Sequence, residues 1–231
     1  MLSSARRPRV RTWRRTLRAL ALTGRAREAH PGTDDSDILH LGPGPAATAL
    51  MEDRGPLAPA RLLRPRQGRL GDCWVIAPML ALHETAPERL RALLTAESHG
   101  IVTVRLPGVE TPLRVDRRFP VDEHGVFQYG RRDGANPGWV GALEKAIAAH
   151  LAADYSFLQR GFARFGFELL LGERVHSQLR MPSAAQIIAW RSEGRAIAAS
   201  THPFSGRVPS AAGPLPSNHV FAVVGADAHS G

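Results

Sequence analysis

The stretch from Gln67 to Leu82 constrains this chain more than any other, because it joins a glycine-bearing loop to a helix start and places the only cysteine at the junction. Gly68 and Gly71 loosen the loop, and Asp72 is an N-cap residue type. The apolar run VIAPMLAL behind Cys73 and Trp74 reads as a helix. Cys73 then falls in the first helical turn, where unpaired N–H groups and the helix dipole favour a thiolate, the nucleophilic form. Gln67 precedes the sulfur by six residues, within reach for its amide and the Cys73 N–H to donate together to an oxyanion. A lone cysteine is more often a buried structural residue. Pro78 lies inside the run and predicts a kink, since it lacks the N–H that would bond the carbonyl four residues back.

A chain of 231 residues can bury one sizeable core or two small lobes. A single cysteine excludes an intramolecular disulfide and fits a reducing, cytoplasmic setting. Lys145 is the only lysine against 29 arginines, and alanine is abundant, a bias that points to a GC-rich, bacterial genome. The net charge of +9 suggests a nucleic-acid partner until it is located. Residues 1–30 hold nine arginines and one acid, so the other 201 residues are close to neutral. Within this arm TWRRTLRALAL reads as a short basic amphipathic helix, suited to nucleic acid or an acidic membrane, or else as a solvated extension. It is too short and too interrupted for a secretory segment, and no stretch approaches the roughly 18 apolar residues of a membrane span.

Residues 30–66 are rich in Pro, Gly and charge and read as a linker and lead-in, with some order expected around AATALMED. The division that follows is a basic arm and linker over 1–45, a helical lobe over 46–178 and a β-rich portion over 179–231. PERLRALLT (87–95) predicts a second helix, with Pro87 in its first turn. IVTVRL alternates as a strand, and LRVDRRFPVDEHGVFQYG predicts two strands joined by a turn at Glu123–Gly125. Asn136 is the expected cap of the next helix, in which Trp139, Leu143, Ile147 and Leu151 form one core stripe. SAAQIIAWRSEG (183–194) predicts a helix with a glycine stop. The strand AIAAST, a long Pro- and Ser-rich loop and the strand HVFAVVGA come after it.

The octet QGRLGDCW resembles the active-site segment of the calpain family of papain-like cysteine proteases, with seven of eight positions on the pattern. The resemblance extends to VDRRFPVDEHG (115–125), WVGALEKA (139–146), the glycine-bounded GFARFGFELLLG (161–172) and SNHVFAVVGAD at the end. In the last of these, Asn218 stands where calpains have glycine before the histidine. The resemblance implies an α+β, papain-like two-lobed fold, with Cys73 on the helical lobe and His219 on a β-rich lobe. It also implies hydrolysis of peptide bonds in protein or peptide substrates through a thioester. Cys73 would be the nucleophile, His219 the general acid and base, and Gln67 part of the oxyanion hole. His219 lies 146 residues beyond Cys73, within the interval of about 130–150 residues usual for the papain arrangement.

Calpains orient their histidine with an Asn in an N-P-W segment further along, whereas this sequence runs twelve residues beyond His219. Asp227 is a substitute in kind, but eight extended steps place it ~26 Å away. The alternative expectation is therefore a catalytically incomplete interaction module or a truncated gene product. Calcium, which animal calpains hold through carboxylates near this motif, is opposed here by Arg61, Arg64 and Arg66, and no cofactor is expected. The remaining histidines show no metal-ligand spacing, and His40, His83, His124 and His150 read as surface, helix-edge or turn residues.

Overall fold

Eleven residues from Cys73 to His83 form the helix around which the other elements gather. The computed structural model describes residues 35–58, 61–132, 136–207 and 213–227, all within the body Asp34–Gly231. The arginine-rich arm and its expected amphipathic helix lie outside the described residues. In chain order the body carries strands β1 (Ile38–Leu39), β2 (Ala49–Glu52) and β3 (Pro65–Arg66), then helices α1 (Cys73–His83) and α2 (Pro87–Ala92). Strands β4 (Leu94–Ala96), β5 (Ile101–Val104), β6 (Leu113–Asp116), β7 (Arg118–Val121) and β8 (Arg131–Arg132) follow. Helices α3 (Gly138–Leu151), α4 (Ala163–Leu171) and α5 (Ala184–Ser192) precede strands β9 (Ala198–Ser200) and β10 (Val220–Ala222). The mixture is α+β. No helix among the described residues is long and apolar enough to cross a membrane.

Helix α1 is apolar on every side and is buried accordingly, from Cys73 through Met79 and again at Ala81 and Leu82. It packs on α4, α2, β3 and β10. The helix runs unbroken through Pro78, which leaves the Trp74 carbonyl without its usual donor four residues on. Gly166 of α4 occupies that place: a Cβ there would collide with the Trp74 carbonyl oxygen and stand 2.9 Å from the Pro78 ring. The gap made by a proline is thus filled by a glycine backbone.

Strands β1, β6, β5 and β4 form one sheet in that order, with β1 parallel to β6 and the other pairs antiparallel. All four residues of β5 are buried, so the alternation in IVTVRL does not mark a solvent face. Helix α3 lies on this sheet and is buried from Gly138 to Ala148, well beyond the single stripe its spacing suggests. Its N-terminus is capped by Pro137 and not by Asn136, whose amide instead donates to Asp53 at 3.2 Å. Buried Asp53 also accepts from the Gly138 N–H and pairs with Arg117 at 2.9 Å.

Other expectations shift as well. The helix at Pro87 ends at Ala92, and Leu94–Ala96 joins the sheet. The expected hairpin over 113–130 divides at Arg117, so β6 enters the main sheet while β7 pairs with β2. After the turn at Asp122–Gly125 only a bridge between Val121 and Phe127 remains of it. The lead-in is part of the body: β1, β2 and β3 are all paired, and Leu41, Leu57 and Leu62 lie in the core. At the far end Ser183 and Gln186 form a reciprocal cap for α5, and β9 pairs antiparallel with β10.

Lys145 ties α3 to the sheet. Its fully buried ammonium donates to Asp116 at 2.7 Å and to the Arg118 carbonyl at 2.9 Å, and His40 holds the other Asp116 oxygen. Burial pulls the Lys145 pKa below the usual lysine range despite that carboxylate. Burial works the other way on Asp116, but Lys145 outweighs it and holds the carboxyl below its ordinary value. Such a pair costs desolvation, so removing one partner is worse than removing the charge and filling the space. Lys145→Ala is expected to lose about 3–5 kcal/mol in denaturant unfolding and Lys145→Met much less. Because the Asp116 pKa is depressed on folding, its contribution is present at neutral pH and fades as pH falls through the folded value.

Candidate active site

The loop before Cys73 is held by backbone contacts on both sides. Arg69 N–H donates to the Gln128 carbonyl at 2.7 Å, and Gly68 lies so close to Gln128 and Tyr129 that a Cβ would strike both carbonyls. On the other side the Arg160 N–H donates to the Gly71 carbonyl at 3.1 Å, and the Trp74 indole donates to the Leu158 carbonyl at 2.6 Å. Asp72 takes the N-cap position through its backbone alone, its carbonyl accepting from Val75 and Ile76. The expected side-chain cap does not form, because the Asp72 carboxyl turns into the core. Cys73 is the first residue of α1 and 9% exposed. Among the described residues, the N–H groups of Cys73 and Trp74 have no acceptor, as the first turn of a helix dictates.

Gln67 stands in this loop, half-buried, with its amide nitrogen donating to the Leu70 carbonyl at 2.6 Å. That bond uses one of two N–H groups and turns the amide along its own loop. His219 directly precedes β10, the strand that packs on α1 through buried Val220. Its backbone is clamped on both sides by Thr201, with the His219 N–H donating to Oγ1 at 3.0 Å and the Thr201 N–H donating to the His219 carbonyl at 2.8 Å. The ring meets Phe221 edge-on, with centroids 4.6 Å apart. Cys73 thus opens the helix on which β10 packs and His219 directly precedes that strand, while no hydrogen bond among the described residues joins thiol and imidazole. Catalytic contacts are often long before substrate binds.

One pair near the cysteine escaped the sequence reading. The buried Asp72 carboxyl faces the buried carboxyl of Glu144 on α3. Burial pushes both above the ordinary carboxylate range, and for Glu144 the charge of Asp72 adds to it. Tyr129 and Tyr155 stand near, their hydroxyls also pushed up by burial and by the Glu144 charge. The only signal was Glu144 beside a core stripe, a place where a helix polar face is the usual reading. His83, read as a helix-edge residue, stacks parallel to Trp139 and bonds the Leu62 carbonyl at 3.0 Å, which pins the lead-in to the end of α1. Among the described residues no group of three or more His, Cys, Asp or Glu gathers as metal ligands.

Comparison with known proteins agrees with the motif. The family described as calpain family cysteine protease matches residues 60–229. The calpain-type cysteine protease DEK1 of Arabidopsis thaliana is 26% identical over 173 residues, 68% of this chain and 8% of that protein. ADL1 of Oryza sativa subsp. japonica, likewise a calpain-type cysteine protease, is 28% identical over the same shares. Calpain-14 of Homo sapiens is 35% identical over 111 residues, 45% of this chain and 16% of that protein. The chain therefore spans less than a tenth of the length of the plant relatives. With the family pattern covering most of the body, and with the QGRLGDCW loop delivering its cysteine to a helix N-terminus, the chain belongs to the calpain family of cysteine proteases.

Proposed function

We propose that the chain is a cysteine endopeptidase of papain-like, two-lobed build that hydrolyses peptide bonds in proteins, in a reducing, cytoplasmic setting. The observation that carries this reading is that Cys73 opens a buried helix whose first two N–H groups have no acceptor among the described residues. The strand after His219 packs on that same helix. The Cys73 thiolate attacks the substrate carbonyl carbon, and the oxyanion is received by the Cys73 N–H and by the Gln67 amide, which must turn from Leu70 and Asp72 to reach it. His219, carrying the thiol proton, gives it to the amine as the C–N bond breaks and a thioester forms. It then takes a proton from water, whose oxygen displaces the thiol, and returns that proton to sulfur.

Calcium, implied by the family resemblance, needs clustered oxygen donors. The segment before Cys73 presents Arg61, Arg64 and Arg66, with Arg64 paired to Glu84 at 2.8 Å. These residues do not fit the ion, and no step is routed through it. Binding of nucleic acid or acidic lipid by the arginine-rich arm is a lesser proposal, and such binding should weaken steeply with added salt.

The second reading is an interaction module without catalysis, favoured by one observation, the engagement of Gln67 with Leu70. Casein hydrolysis before and after alkylation of Cys73 by iodoacetamide separates the two. The peptidase reading predicts loss of hydrolysis in proportion to label, and an unlabelled yet inert chain supports the module. Gln67→Ala is expected to lower kcat by about 10²–10³ with little change in labelling, the usual scale for one oxyanion donor.

A further inference from the structure

Asp72 directly precedes Cys73, and among the described residues both oxygens of its carboxyl stand without a hydrogen-bond partner. The side chain is wholly buried. It faces the Glu144 carboxyl, with the Gln67 amide beside it. Glu144 is buried as well, and both its oxygens accept from the Gly130 N–H, at 3.1 and 2.9 Å. Neither carboxyl bonds a cation among the described residues. The other titratable groups around them are the Cys73 thiol and the hydroxyls of Tyr129 and Tyr155, with Asp154 and Asp116 acting on those tyrosines from further off. Among the described residues the Tyr155 hydroxyl has no partner either.

Two carboxylates that meet in a dry interior cannot both ionise. A single proton resolves the conflict, since one acid then donates to the other and an Asp72 oxygen gains its partner. We propose that Asp72 and Glu144 share one proton, and that this acid pair is a positioning element anchoring the Cys73 loop to α3 while limiting the charge beside the sulfur to one. The positioning role rests on reading Cys73 as the nucleophile. The Asp72 carbonyl accepts from Val75 and Ile76, so any shift of Asp72 moves the turn that carries the thiol. Loss of the proton sets a second negative charge against the thiolate and drives the two acids apart. Both carboxyls titrate above their unfolded range, so their contribution to stability is full at acid pH and declines as pH rises through the folded values.

Infrared spectroscopy of the full chain at neutral pH tests the proton directly. The carbonyl stretch of a protonated carboxylic acid is expected in the wild type and absent from Asp72→Asn and Glu144→Gln. Each of these variants keeps one donor–acceptor bond and one negative charge. No such band in the wild type, or a band surviving both substitutions, overturns the shared proton. Positioning is read from iodoacetamide alkylation, which reports on Cys73 alone in a single-cysteine chain. The rate should stay near wild type in Asp72→Asn and Glu144→Gln. In Asp72→Leu, which keeps the branched shape but adds bulk and loses the bond, it should fall at least about tenfold through displacement of the turn. Wild-type alkylation in a folded Asp72→Leu overturns the positioning role, and if that variant does not fold, slow alkylation in both amide variants does so. Failure to cleave casein with these results intact counts against the peptidase reading and leaves the pair standing.

Discussion

Replacing Cys73 with alanine is expected to abolish casein cleavage, a fall on the order of 10⁶ in kcat, the scale on which a serine protease fails without its nucleophile. His219→Ala is expected to lose about 10²–10⁴, the usual worth of one general acid and base. Its loss should be the smaller because sulfur is a strong nucleophile even without a base beside it. Both variants should fold. Cys73 contributes a small side chain at the edge of the core, and the His219 ring contacts Phe221 while its backbone carries the bonds to Thr201. Initial rates on purified variants of matched thermal stability check this. Cleavage that survives Cys73→Ala removes the nucleophile assignment.

Gly68→Ala should give the second large effect without touching any reacting atom. The added carbon would stand 2.6 Å from the Tyr129 carbonyl carbon and closer still to the carbonyl oxygens of Gln128 and Tyr129. These are backbone atoms, so the strain cannot be relieved by rotating a side chain, and the loop must lift. Lifting breaks the Arg69 bond to Gln128 and shifts Gln67, whose amide is tied to Leu70 in the same loop. About 1–3 kcal/mol of stability should go with the overpacking. A displacement of about 1 Å at the site should cost about 100-fold in kcat/KM. Gly42→Ala is the control, since nothing lies within 4 Å of the added carbon and its effect should stay within about 0.5 kcal/mol. Equal behaviour of the two variants would contradict the account of the loop.

What could be read from the residues alone was the part whose signals are local. The helix behind Cys73 follows from an unbroken apolar run, and the cap of α5 from Ser183 and Gln186 three residues apart. Strands β9 and β10 lie in the two apolar segments that flank a polar loop, and their pairing came only with the structure. Signals that need a distant partner failed. Leu41, Leu57 and Leu62 are single apolar residues among prolines and glycines, so the lead-in reads as linker until β6, β7 and β8 are there to pair with it. Asn136 has the residue type of a cap but is drawn to Asp53, 83 residues away. Glu144 has the type of a surface helix residue, and only the approach of Asp72 and the Gly130 N–H explains its burial. The candidate site divides the same way, since its residue types are legible in one motif while their spacing depends on how β10 packs on α1.

The most direct test of the central claim is rapid-quench mass spectrometry of the chain during turnover of an ester or peptide substrate. An acyl group is expected on the peptide containing Cys73, formed and lost at rates consistent with turnover and absent from Cys73→Ala. Turnover without any acyl mass on Cys73 would contradict that claim.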